Sequence, residues 1–100
     1  MYKIKEIARV LAATDDPQLI EGFLKSILTK SEIDEISSRW ELVKLLNDGM
    51  SQRKIAERLG LSLCKITRGS RELKKANSPF KAFLNKFAEL HGRDQAHIQN

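Results

Sequence analysis

A single cysteine, Cys64, two prolines and five glycines are found among the 100 residues of this chain. One thiol makes no internal disulfide, and one cysteine with two distant histidines, His91 and His97, offers no zinc-ligand spacing. A reducing, cytoplasmic setting is the expectation. Scarce glycine and proline disfavour a turn-rich β fold. No apolar run approaches the ~20 residues of a membrane span, and no signal-peptide pattern opens the chain, so no membrane partner is expected. Also missing are a nucleophile with a base at plausible spacing, a cluster of metal ligands and a phosphate-cradling loop. An enzyme is therefore not expected, and neither a metal nor a cofactor is called for.

What the chain does have is apolar content, 41%, enough for a folded core. Its length suits one small domain, whose modest core often gains from association. The formal net charge is +5 and is unevenly spread. Residues 1–48 sum to −2, residues 49–75 to +6 and residues 76–100 to +1. The excess positive charge thus lies in one short block. Such a block attracts polyanions and releases counterions on binding, although a solvated basic face has the same composition.

Apolar residues recur at helical spacing through most of the chain. Ile4, Ile7, Ala8, Leu11 and Ala12 make one stripe. Acids and Pro17 then open a second helix carrying Leu19, Ile20, Phe23, Leu24, Ile27 and Leu28. Thr29, with Glu32 three residues on, reads as a capping box. It starts a third helix whose core face is Ile33, Ile36, Trp40, Val43 and Leu46, with Gly49 at its end. A fourth helix runs from Ser51 to Gly60, and a fifth follows Ser62. Ser78–Pro79 opens a sixth, with Phe80, Phe83, Leu84, Phe87 and Leu90 as its stripe. The expectation is one all-α domain of six helices over residues 1–91, with a tail at 92–100 that lacks a period and is expected to be disordered. The first two helices and the last carry broad apolar faces for so small a domain. A homodimer sharing one core would use them; so would helices that simply cover their own domain.

Residues 51–75 read as a helix-turn-helix. Ile55, Ala56 and Leu59 face inward, Gly60 permits a left-handed turn, and Leu61 and Ile66 resume the core beyond it. Ala56, four before the glycine, leaves room for two helices to cross. In such a motif the second helix enters the major groove of DNA with its N-terminal residues nearest the bases. Those residues are Ser62, Leu63, Cys64 and Lys65, with Thr67 and Arg68 a turn later. Gln52 and Arg53, at the start of the preceding helix, are placed to meet phosphate or reach a base. An ordinary αα-hairpin has the same outline, but the turn length, the Ala–Gly spacing and the local charge favour duplex DNA as the partner.

Four segments carry a family resemblance: "LT" at 28–29, "SSRWELVKLL" at 37–46, "GMSQRKIAERLG" at 49–60 and "ITRGSRELK" at 66–74. In order and near spacing they resemble the tryptophan repressor family, closely over residues 28–76 and only in helix type outside them. The resemblance implies an intertwined, six-helix all-α homodimer with a helix-turn-helix DNA-binding head. It also implies L-tryptophan as corepressor, held between the core and the head. By motif match Arg39 and Arg68 would sandwich the indole, a sound arrangement because guanidinium planes stack on aromatic rings. Arg68 would also pair with the carboxylate, assisted by the Thr29 hydroxyl. Backbone carbonyls at Ser26 and Leu28, from the partner subunit, would receive the ammonium group, and Gly69 would let the ring approach the backbone. Glu72 stands where the family commonly has serine, close to the ligand's amino group. Cys64 and Lys65 stand where Ala and Thr are typical. Trp40, beside Arg39, belongs to the core face.

The function so implied is sequence-specific repression of tryptophan-related genes, switched on by L-tryptophan binding. A ligand-independent helix-turn-helix protein of the operator or replication-origin type is the alternative. A helical module whose basic face binds an acidic protein is a third reading.

Overall fold

The computed structural model describes residues 3–99, with side chains over 3–91. Among these residues all regular structure is helical: α1 (Lys3–Ala13), α2 (Pro17–Ile27), α3 (Lys30–Asn47), α4 (Gln52–Leu59), α5 (Leu63–Lys74) and α6 (Pro79–Gln99). The chain divides into two compact units, Met1–Ser37 and Ser38–Asn100, and the division falls within α3.

In the first unit the helix ends are set by local chemistry. The Asp16 carboxylate accepts the backbone N–H groups of Gln18 at 3.1 Å and Leu19 at 3.3 Å, and Pro17 occupies the first turn of α2. The capping box at the start of α3 is reciprocal. Thr29 N–H donates to Glu32 Oε1 at 2.8 Å, and Glu32 N–H donates to Thr29 Oγ1 at 3.1 Å. Neither α1 nor α2 buries a residue in the single chain. An apolar groove of about 420 Å³ lies between them, lined by Ile7, Val10, Leu11, Leu19, Ile20 and Phe23.

The second unit holds the core. α3 ends in a Schellman motif: Gly49 N–H donates to Leu46 O at 3.1 Å and Met50 N–H to Leu45 O at 3.1 Å, with Gly49 at φ +91°. Ser51 and Ser62 cap α4 and α5 through their hydroxyls, which accept from Lys54 N–H and Lys65 N–H. Between them Gly60 takes φ +66°, and its N–H closes on Ala56 O at 2.9 Å. The chain turns again at Asn77, φ +55°, a conformation asparagine tolerates. Ser78 then caps α6, and Lys81 Nζ donates to Asn47 Oδ1 at 2.7 Å, tying α6 to the end of α3.

Leu42, Leu45, Ile55 and Ile66 form the central cluster, with Leu46, Met50, Ala56, Leu59 and Leu61 packed round it. The buried face of α3 is wider than the expected stripe: Val43, at 1% exposure, and Leu46 lie inward as expected, and Leu42 and Leu45 join them. Leu42 and Leu45 carry the packing against α4 and α5, while Ile36 stays half exposed. Trp40 faces α6, where it stacks on Phe80 and meets Phe87 edge-on at 6.0 Å between centroids. Two neighbours thus share the C-terminal half of α3, and a single stripe cannot serve both. α6 also runs further than the sequence suggested. Its backbone is helical to Gln99, because the only strong helix-weakener past Pro79 is Gly92, which costs about 1 kcal/mol and does not stop a helix. Asn100, at the end of the expected disordered tail, lies outside the described residues.

Ile55 and Ile66 are fully enclosed. Truncation of Ile55 to alanine removes its contacts and leaves a cavity between α3, α4 and α5. Ile55→Ala is expected to lower unfolding free energy by about 2–5 kcal/mol in urea titrations. A change below about 1 kcal/mol would mean that this cluster does not carry the second unit.

Candidate ligand cleft and nucleic-acid interface

Along α5, Lys65, Arg68, Gly69 and Glu72 stand at spacings of three, four and seven residues, so they share one helix face. That face looks onto α3. Between the two helices lies a cleft of about 230 Å³, lined by these four residues together with Arg39, Leu42, Val43 and Phe80. It is smaller than the ~300–1,000 Å³ usual for drug-sized ligands and suits a single small metabolite. Arg39 lines it from one turn before Leu42 and Val43, so each helix contributes a cation to a cleft that also has apolar lining.

The structure thus gathers Arg39, Arg68, Gly69 and Glu72 at one place. Sequence reasoning missed the apolar lining, Leu42, Val43 and Phe80. It also assigned Lys65 to DNA alone, although its spacing from Arg68 was a signal for the same face. Gly69 has a packing reason for its lack of a side chain. A Cβ there would lie 3.2 Å from Leu42 Cδ2 and 3.5 Å from Leu46 Cδ1, so glycine sets how closely α5 approaches α3. Glu72 is engaged already: its carboxylate accepts Lys75 Nζ at 2.9 Å. Among the described residues Arg68 forms no ion pair.

Ser26, Leu28 and Thr29 belong to the first unit. The Ser26 hydroxyl donates to Gly22 O at 2.8 Å. Leu28 is the extended residue that ends α2, with its N–H on Leu24 O at 3.0 Å. Thr29 Oγ1 accepts the cap bond and keeps its own proton to donate.

The residues expected at DNA, Gln52, Arg53, Ser62, Leu63, Cys64, Lys65 and Thr67, are all exposed. The Ser62 oxygen is used as a cap, and the Thr67 hydroxyl donates to Leu63 O at 2.8 Å, which leaves its lone pairs outward. Leu63 is 59% exposed at the first position of α5. Arg53, Lys54 and Arg58 lie on α4 and Lys65, Arg68, Arg71 and Lys74 on α5, so the positive block maps onto these two helices.

A family model described as Trp repressor protein matches residues 3–88, which takes in both units. The chain belongs to the Trp repressor protein family. It is 38% identical over 81 residues to a Trp operon repressor homolog of Xylella fastidiosa (strain M23), covering 80% of this chain and 86% of that protein. It is 37% identical over 70 residues to a homolog of the same description from Chlamydia trachomatis serovar D, covering 69% and 74% respectively. A third, from Chlamydia caviae, is 36% identical over 77 residues and covers 76% of each chain. No solved structure matches the chain significantly. The Trp repressor family consists of regulatory DNA-binding proteins rather than enzymes, and its match supports a transcriptional repressor. Among the described residues no helix is long and apolar enough to cross a membrane, and no group of side chains could hold a metal ion.

Proposed function

We propose that the protein is a cytoplasmic, homodimeric operator-binding repressor that takes L-tryptophan as its corepressor. The observation that carries this reading is the cleft, which Arg39 of α3 and Arg68 of α5 line together with Leu42 and Val43. An indole between two guanidinium planes gains cation–π attraction, and a ligand carboxylate gives Arg68 an anion to hold. Thr29 and the carbonyls of Ser26 and Leu28 would complete the head-group contacts from the partner subunit.

In this reading α4 and α5 are the helix-turn-helix head. Gln52 and Arg53 meet the backbone; Leu63, Cys64, Lys65 and Thr67 meet base edges, with the bare leucine suited to a thymine methyl. Support for a dimer comes from exposed apolar side chains that a lone domain would not leave to water. Val10 is 65% exposed, Leu19 62% and Phe83 69%. A two-fold pair of heads spaced about 34 Å apart reads a palindromic site, and the ligand under each α5 favours that spacing.

Calorimetric titration of L-tryptophan, with and without a palindromic duplex, tests the reading. Linkage requires that the duplex tighten ligand binding by the same factor as the ligand tightens duplex binding. Equal duplex affinity with and without L-tryptophan would leave the ligand-independent DNA-binding protein as the answer.

A further inference from the structure

Arg53 and Glu57 are four residues apart on α4, about 6 Å along its axis, and both lie on the side opposite Ile55, which the core encloses. Both are exposed, and among the described residues neither forms an ion pair. The helix itself gives no reason for either charge. A cation in the first turn and an anion in the last each oppose the helix dipole. An arginine that precedes its glutamate is also the poorer order for a pair at this spacing. Residues 49–75 contain only two acids, Glu57 and Glu72. Glu72 already holds Lys75, so Glu57 is the one carboxylate of the basic block without a cation among the described residues.

We infer that Glu57 is a specificity-determining residue, a carboxylate on the DNA-facing side of α4 that repels duplex bound out of register. This rests on the reading of α4 and α5 as the DNA-binding head. Any duplex that Arg53 approaches on this face also meets Glu57. Binding out of register is almost wholly phosphate attraction, so a carboxylate at the contact subtracts from it directly. There Arg53 is drawn to the nearest phosphate and leaves Glu57 bare against the backbone. In a registered complex the base contacts of α5 fix where α4 lies, and Arg53 can span the duplex on one side and Glu57 on the other. The ratio of the two affinities rises, although neither complex is strengthened.

The test uses the full-length protein in excess L-tryptophan. Two probes are titrated by fluorescence anisotropy over a range of salt: a duplex that wild type selects from a random-sequence pool, and a scrambled duplex of equal length and composition. Glu57→Gln keeps the shape and removes the charge. At about 50 mM salt it should bind scrambled duplex about three- to tenfold more tightly, the effect of one exposed anion lost from each of two heads, with a salt slope steeper by up to about two per dimer. The selected duplex should gain less than about twofold, so the ratio falls. Glu57→Asp keeps the charge and should keep most of the wild-type ratio. The Tm of free Glu57→Gln should match or exceed wild type, because the lost anion opposed the helix dipole. Equal gains on both duplexes, or none on either, overturn the inference. So does a loss confined to the selected duplex, which would make Glu57 a base contact, and a lowered Tm with an unchanged ratio, which would give it to the fold. A wild type that draws no preferred sequence from the pool removes the DNA-binding reading itself.

Discussion

Arg68→Ala is expected to weaken L-tryptophan binding about a hundredfold while the helices stay in place. The side chain is exposed and unpaired among the described residues, so its loss leaves no buried group stranded and opens no core cavity. In the proposed complex the substitution removes one wall of the ring sandwich, of the order of 1–2 kcal/mol, and a charge-assisted contact to the carboxylate of about 1.5–3 kcal/mol. At about 1.4 kcal/mol per tenfold, even the lower ends of the two ranges give nearly two orders of magnitude. Arg68→Lys separates the parts. Lysine keeps the charge but not the flat, stacking face, so affinity should recover only in part. The competing role for Arg68 is a phosphate contact. In that case the alanine variant would lose duplex affinity and about one unit of salt slope per chain, with calorimetric affinity for L-tryptophan unchanged. Circular dichroism on the same samples guards against an unfolding artefact.

Much of this arrangement is legible in the sequence because it is written in local chemistry. Asp16–Pro17, Thr29 with Glu32, Ser51, Ser62 and Ser78–Pro79 each mark a helix start through a side chain that bonds a backbone within three residues, and all five appear as expected. Gly49 and Gly60 mark helix ends because the chain needs a positive φ there. Harder to read were the features set by contacts far along the chain. α3 is flanked by α4 and α5 on one side and α6 on another, so its buried face, Leu42, Val43 and Leu45, is wider than the stripe of one amphipathic helix, and of the three only Val43 was on the expected stripe. Phe80 enters the cleft from a different helix, which no spacing rule within "SSRW" or "TRGS" could disclose. Gly69 shows the same limit. Motif matching gave it a role toward the ligand ring, whereas the 3.2 Å approach to Leu42 gives it one in helix packing. The two roles are compatible, since a glycine that lets α5 sit close to α3 also fixes the width of the cleft above it.

Duplex affinity should fall about a thousandfold to a hundred-thousandfold between 50 and 200 mM salt. The reasoning starts from the positive block, where residues 49–75 carry eight lysines and arginines against two acids. A proposed dimer presents that block twice, and about three to five phosphate contacts per chain would displace roughly six to ten counterions, each adding about 0.9 to the slope of log affinity against log salt. Arg53→Ala, at the exposed start of α4, removes one contact per chain and should lower the slope by about two per dimer. Lys86→Ala, on α6 outside the block and near Glu89 at 3.9 Å, should leave it alone. These two variants separate a docked protein from a generally sticky cation, because a nonspecific basic surface loses slope in proportion to charge wherever the charge is removed. Polyglutamate sharpens the contrast. If it displaces an operator duplex as well as unlabelled duplex does at equal charge, the basic face is a docking patch for acidic protein. A duplex that resists polyglutamate, with a slope that Arg53 alters and Lys86 does not, requires α4 and α5 to lie in register on the phosphates of the double helix.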